Sequence, residues 1–170
     1  MDNFLNCLAF TLQSEGGFSN NPSDPGNWTG GSIGAGELRG TKSGISAAAY
    51  PTLDIRNLSQ QQIEMIYRQD YFAPIHGDML PSPLAMVAFD AAVNAGVRHS
   101  VIWLQQSAGV IADGNFGDKT LQALTGGNAL ALANDALARR LDYYARLPGW
   151  KTFGLGWARR ILKLAQTIQH

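Results

Sequence analysis

The chain has 170 residues, 45% hydrophobic and only 15% charged, with 13 Lys and Arg balanced by 13 Asp and Glu. A chain of that length buries a core without staples, and its low charge with an ordinary apolar fraction excludes disorder or a polyelectrolyte tail. One cysteine, Cys7, excludes an internal disulfide framework, and no Cys/His spacing suits zinc. Net neutrality conceals a split: residues 1–97 carry 4 basic and 9 acidic side chains, net −5, and residues 98–170 carry 9 and 4, net +5. A basic C-terminal part can steer an anionic polymer, with Arg139, Arg140, Arg159, Arg160 and Lys163 as the candidate patch; plain solvated helix faces fit the same residues.

In chain order, Phe4, Leu8 and Leu12 recur at helical spacing from about Asp2, and the helix is expected to stop at Gly16-Gly17. This start has no basic cluster and its apolar stretch is broken by Asn6, Thr11 and Gln13, so a signal peptide is not expected. No run approaches the ~20 apolar residues of a membrane helix. The expectation is a protein made in the cytoplasm, without stable membrane insertion, that needs another route to act beyond the membrane. Nine glycines fall between Gly16 and Gly44, with Asp24-Pro25-Gly26 among them, which predicts turns or a short hairpin; Phe18, Trp28, Ile33, Leu38 and Ile45 pin that loop to a core.

Helical pattern resumes from Ala47 to Tyr50, stops at Pro51, and starts again behind a capping box of Ser59 and Gln62, ending before Pro74. Ser82-Pro83 opens an alanine-rich central helix to Ala95, another runs from about Ser100 to Ala108, and a short one spans Thr120 to Leu124. Two longer helices follow, carrying Leu130, Leu137 and Leu141, then Trp157, Ile161, Leu164 and Ile168. The fold class is mainly α, with a glycine-rich loop or small β element near residues 18–45.

Glu15 stands where a helix meets two glycines, at the negative end of the helix dipole, which disfavours its ionised form and suits a proton donor. Gly16 and Gly17 carry no side chain, so a large substrate can approach the backbone there. Asp24 and a threonine, Thr29 or Thr41, sit in or beside the same loop; two carboxylates and a water-holding hydroxyl are the components of glycosidic bond cleavage. Asp-Pro-Gly is equally an ordinary turn in which the carboxylate caps backbone N–H groups. Asp90 and Asn94 share one helix face, where they line a cleft or act as a buried polar pair that fixes the loop. Tyr143, Tyr144, Trp150 and Trp157 are candidates for sugar stacking as well as core aromatics. The Asp113–Asp118 loop lacks the acidic twelfth ligand of an EF-hand, Leu124 standing there.

The ordered set Glu15-Gly16-Gly17-Phe18-Ser19-Asn20, Asp24-Pro25-Gly26, Thr41-Lys42-Ser43-Gly44-Ile45-Ser46 and Phe89-Asp90-Ala91-Ala92-Val93-Asn94-Ala95-Gly96 resembles glycoside hydrolase family 108, phage-type N-acetylmuramidases. Leu104-Gln105-Gln106 through Asp113–Thr120, with Gly156-Trp157-Ala158-Arg159-Arg160, resembles the predicted peptidoglycan-binding segment that follows that region. The resemblance implies a lysozyme-like helical fold, with a muramidase region at 1–97 and a helical peptidoglycan-binding segment at 98–170 packed as one unit. It makes Glu15 the catalytic acid, with Asp24 and Thr41 as catalytic partners and Gly16, Gly17, Asp90 and Asn94 as substrate-binding residues. Thr41 is favoured over Thr29 because it alone keeps the spacing to Gly44-Ile45, residues 27–40 inserting about a dozen residues into the family pattern.

The activity implied is hydrolysis of the β-1,4 bond between N-acetylmuramic acid and N-acetylglucosamine by a lysozyme-type enzyme, typically a phage endolysin for bacteriolysis. Glycan strands of peptidoglycan are the expected partner, with no cofactor, metal or nucleic acid. A monomer is expected, reaching the cell wall after holin-type permeabilisation. The alternatives are a lytic transglycosylase on the same fold and a non-enzymatic wall-binding module.

Overall fold

The computed structural model describes residues 3–13 and 17–169. Helix α1 (Asn3–Leu12) buries Phe4, Cys7, Leu8 and Thr11, the i, i+3, i+4, i+7 stripe of an amphipathic helix, while Leu5 stays exposed. The chain packs as two compact units, residues 1–7 with 68–170, and residues 8–67. That division falls thirty residues before the 97/98 boundary expected from the sequence.

In the smaller unit, strands β1 (Thr41–Lys42) and β2 (Ile45–Ser46) pair antiparallel, with Thr41 opposite Ser46. Ser43 and Gly44 connect them at φ 49° and 75°. Two consecutive positive φ values define the two-residue turn whose twist matches a hairpin, and glycine accepts the second without a Cβ penalty. The helix expected at Ala47–Tyr50 is a turn instead. Its amides are drawn into the loop, Ala47 N–H donating to Gly40 O (2.9 Å) and Ala48 N–H to Gly26 O (3.0 Å). Helix α2 (Gln60–Tyr67) opens on the expected box: Ser59 N–H donates to Gln62 Oε1 (2.8 Å) and Gln62 N–H to Ser59 Oγ (3.2 Å).

The larger unit starts with a π-helical turn (Arg68–Phe72) and centres on α3 (Ser82–Ala95), which buries eight of its residues and packs against α4 (Val97–Ser107) and α6 (Ala129–Ala145). Alanines at 85, 88, 91 and 92 remove bulk so that neighbouring helices approach on several sides. Phe4, Phe72 and Phe89 meet edge to face, with centroids 5.2 to 6.0 Å apart. Helices α5 (Asp118–Gly126) and α7 (Trp150–Thr167) complete the unit, α7 packing on α6. No described helix is long and apolar enough to cross a membrane.

Candidate functional site

Glu15 and Gly16 lie outside the described residues, so the site is built from the loop that follows them. A Cβ placed on Gly17 meets nothing within 4 Å, so packing does not demand glycine there. Asp24 is exposed and caps a 3-10 turn (Pro25–Asn27), its Oδ1 accepting from Gly26 N–H at 2.9 Å. Asn27, fully buried, is the hub of the loop. Its Nδ2 donates to Asn21 O (3.0 Å), its Oδ1 accepts from the Thr41 hydroxyl (2.7 Å), and its carbonyl accepts from Arg39 and Gly40 N–H (both 3.0 Å). A buried amide satisfied on every side fixes a loop that has almost no helix or sheet to hold it.

The two candidate threonines therefore differ in placement. Thr41 lies on β1, tied through Asn27 to the turn that Asp24 caps. Thr29 sits at the neck of the inserted segment, where its Oγ1 accepts from Glu37 N–H at 2.9 Å. Sequence reasoning misses Asn27 as a site residue; its position directly after Asp-Pro-Gly is the only signal the sequence offers. The same unit holds an open pocket of about 420 Å³ lined by Phe18, Leu38, Arg39, Thr52, Asp54 and Arg56.

Asp90 and Asn94 belong to the larger unit. Asp90 is wholly buried on α3; Arg140 Nη1 of α6 donates to its Oδ2 (2.6 Å), and Arg160 of α7 donates to its Oδ1 through Nε (2.9 Å) and Nη2 (2.5 Å). Asn94 Nδ2 donates to Asp90 O one turn earlier (2.7 Å). Arg140 is 1% exposed and also donates to the Tyr144 hydroxyl (3.0 Å). Two members of the expected polymer-facing patch, Arg140 and Arg160, are thus turned inward by a buried carboxylate, while Arg159 and Lys163 remain exposed and Arg139 pairs with Asp135. Asn94, Tyr143, Tyr144, Trp157 and the two arginines line a pocket of about 180 Å³. Tyr144 and Trp157 meet at a tilt of 43° with centroids 5.0 Å apart, continuing a run of rings through Tyr143, Trp103 and His99.

The Asp113–Asp118 loop is organised from within by buried Gln105. Its Nε2 donates to Asp113 Oδ1 (2.9 Å), Asn115 O (2.9 Å) and Thr120 Oγ1 (3.2 Å), and its Oε1 accepts from Gly114 N–H (2.9 Å). The Asn115 amide and the Gln105 amide hold the Asp113 carboxyl below its ordinary value of 3.8.

Residues 8–96 match the model of the family described as glycosyl hydrolase 108, and residues 99–162 match one described as a predicted peptidoglycan domain. The solved structure of Brucella abortus SagA is similar at 28% identity and a TM-score of 0.80, over 98% of this chain and 93% of that one. No match is found among curated proteins. Together these define a glycosyl hydrolase directed at peptidoglycan, with a mainly α, lysozyme-like fold and a small two-stranded sheet. The chain belongs to the glycosyl hydrolase 108 family.

Proposed function

We propose that the protein is an N-acetylmuramidase that hydrolyses the β-1,4 bond from N-acetylmuramic acid to N-acetylglucosamine, with Glu15 as the general acid. The observation that carries this reading is the family match over 8–96, which spans Glu15-Gly16-Gly17 and is followed directly by the peptidoglycan domain match. Glu15 protonates the glycosidic oxygen as the C1–O bond breaks with oxocarbenium character, and water adds at C1. Asp24 and Thr41 are its proposed partners: Asp24 has one oxygen engaged by its own turn, and the Thr41 hydroxyl is oriented by buried Asn27. Gly16, Gly17, Asn94 and Asp90 are assigned to substrate binding, Asp90 through the arginines it holds. Lysis late in a phage cycle, with access to the wall through a holin-type lesion, is the biological setting proposed, and a monomer suffices for it.

Glu15→Gln keeps the side chain's shape and removes its titrating proton, so release of muropeptides from purified peptidoglycan should fall at least ~10²-fold. A variant that keeps most of the rate overturns the assignment. Mass spectrometry of the products tests the chemistry as well. A reducing-end muramic acid is expected; an anhydro product marks a lytic transglycosylase instead, and no release by the wild-type protein marks a binding module.

A further inference from the structure

The open pocket in the smaller unit has an unusual floor. Gly40 adopts φ +87°, and a Cβ there would lie 2.7 Å from Phe18 Cε2 and 2.8 Å from Phe18 Cζ. A side chain at position 40 would collide with the Phe18 ring, so glycine makes room for it. The Arg56 guanidinium lies over the Phe18 ring, 4.2 Å from its centroid. The backbone beneath that arginine is fixed in turn: Lys42 Nζ of β1 donates to Arg56 O (3.2 Å) and Leu58 O (2.6 Å), and Ile55 beside it is fully buried. Among the described residues Arg56 has no carboxylate or carbonyl partner, and it lines the pocket together with Phe18. The other charged groups on the walls are engaged. Arg39 gives Nε to Glu37 Oε2 (2.7 Å) and Nη1 to Pro51 O (3.1 Å), and Asp54 accepts from Asn57 N–H (3.4 Å) and Nδ2 (2.9 Å).

A guanidinium held over an aromatic ring keeps its planar fork and loses little rotamer freedom on binding, which suits bidentate recognition of a carboxylate. Leu38 and Arg39 come from the inserted segment 27–40, so one wall of the pocket is a feature of this chain's own insertion. We propose that Phe18 and Arg56 form a specificity subsite for a carboxylate carried on the lactyl side of the muramic acid residue, either the lactyl group itself or its attached peptide. The proposal rests on the muramidase reading for the source of that carboxylate, and it concerns binding alone.

The test is equilibrium binding to the full chain of two product fragments that need no turnover: the disaccharide–tripeptide from purified peptidoglycan, and the same disaccharide after an amidase has removed the peptide. Arg56→Gln is expected to weaken binding of the fragment that carries the recognised carboxylate at least tenfold, and Phe18→Leu about threefold, with the Arg56→Gln melting temperature unchanged because Arg56 is exposed. Methyl esterification of the fragment should weaken wild-type binding as much as Arg56→Gln does, with no further loss in the combination. The lactyl carboxyl is an amide while the peptide is attached and a free carboxylate once the amidase has cut. Loss on the peptide-free fragment alone therefore assigns the lactyl carboxylate, loss on the peptide-bearing fragment alone assigns the peptide, and loss on both assigns a subsite that takes either. Equal binding by wild type and Arg56→Gln overturns the subsite, as does wild type that binds neither fragment. Glu15→Gln lysis rates judge the muramidase reading separately, since fragment binding does not depend on Glu15 as an acid.

Discussion

The two units stabilise their buried polar groups by opposite means. In the larger, a charged carboxylate, Asp90, is sealed among helices and held by two guanidiniums. In the smaller, a neutral amide, Asn27, gathers carbonyls, amides and one hydroxyl of an irregular loop. Helices satisfy their own backbone and leave side chains to join one helix to another, whereas a loop leaves its backbone groups to be satisfied by side chains. A buried charge is costly to orphan; a buried amide is costly in proportion to the bonds it gathers.

That contrast fixes an order of effects. Asp90→Ala leaves Arg140 buried without its counter-charge, and should cost about 3–5 kcal/mol, a melting temperature lower by on the order of 10 °C by circular dichroism. A fall of a degree or two would mean that water reaches Arg140 and that the clamp is not dry. Asn27→Ala removes two side-chain hydrogen bonds and should cost roughly 2 kcal/mol. Faster hydrogen exchange is expected at the Arg39 and Gly40 amides, which bond to the Asn27 carbonyl, with Ser100 of α4 unchanged; uniform acceleration would erase the distinction between the units.

Smaller still is Asp24→Ala, which removes the exposed cap of a single turn and should cost about 1 kcal/mol. Asp24→Asn keeps an acceptor oxygen for Gly26 and removes the negative charge. A loss of lytic rate in the asparagine variant without loss of stability supports a catalytic carboxylate, and full rate assigns Asp24 to the loop alone. Smallest is Asp113. Its folded-state pKa is depressed, so the stability it adds is present above its unfolded value and is lost as pH falls through the folded one. An NMR titration should place its midpoint below 3.8, and Gln105→Ala should move it back up.

Much of the helical part of both units is legible in the sequence because helical periodicity is local. The central alanine helix, the capping box at Ser59 and Gln62 and the long C-terminal helices all rest on residues within a turn of each other. The turn at 47–50 reads as helix for the complementary reason, since its amides are claimed by Gly40 and Gly26, far earlier in the chain. Asp90 and Asn94 are legible as a pair on one face, but their partners are not: Arg140 and Arg160 are 50 and 70 residues away from Asp90 and read in sequence as surface cations. Asn27 gives less warning still, a small polar residue in a loop full of them.

Sequence by itself determined the helical class, a glycine-rich loop or small β element near residues 18–45, the family and the identity of Glu15 as candidate acid, because each depends on short-range pattern or an ordered set of motifs. Only the tertiary structure decided which charges face solvent and which are consumed inside, that Asn27 anchors the loop around Asp24 and Thr41, and that Gly40 seats Phe18 beneath the Arg56 guanidinium. Those outcomes depend on burial, which changes the free energy of a charge or an amide by more than its neighbours in sequence can, and burial is set by residues distant along the chain.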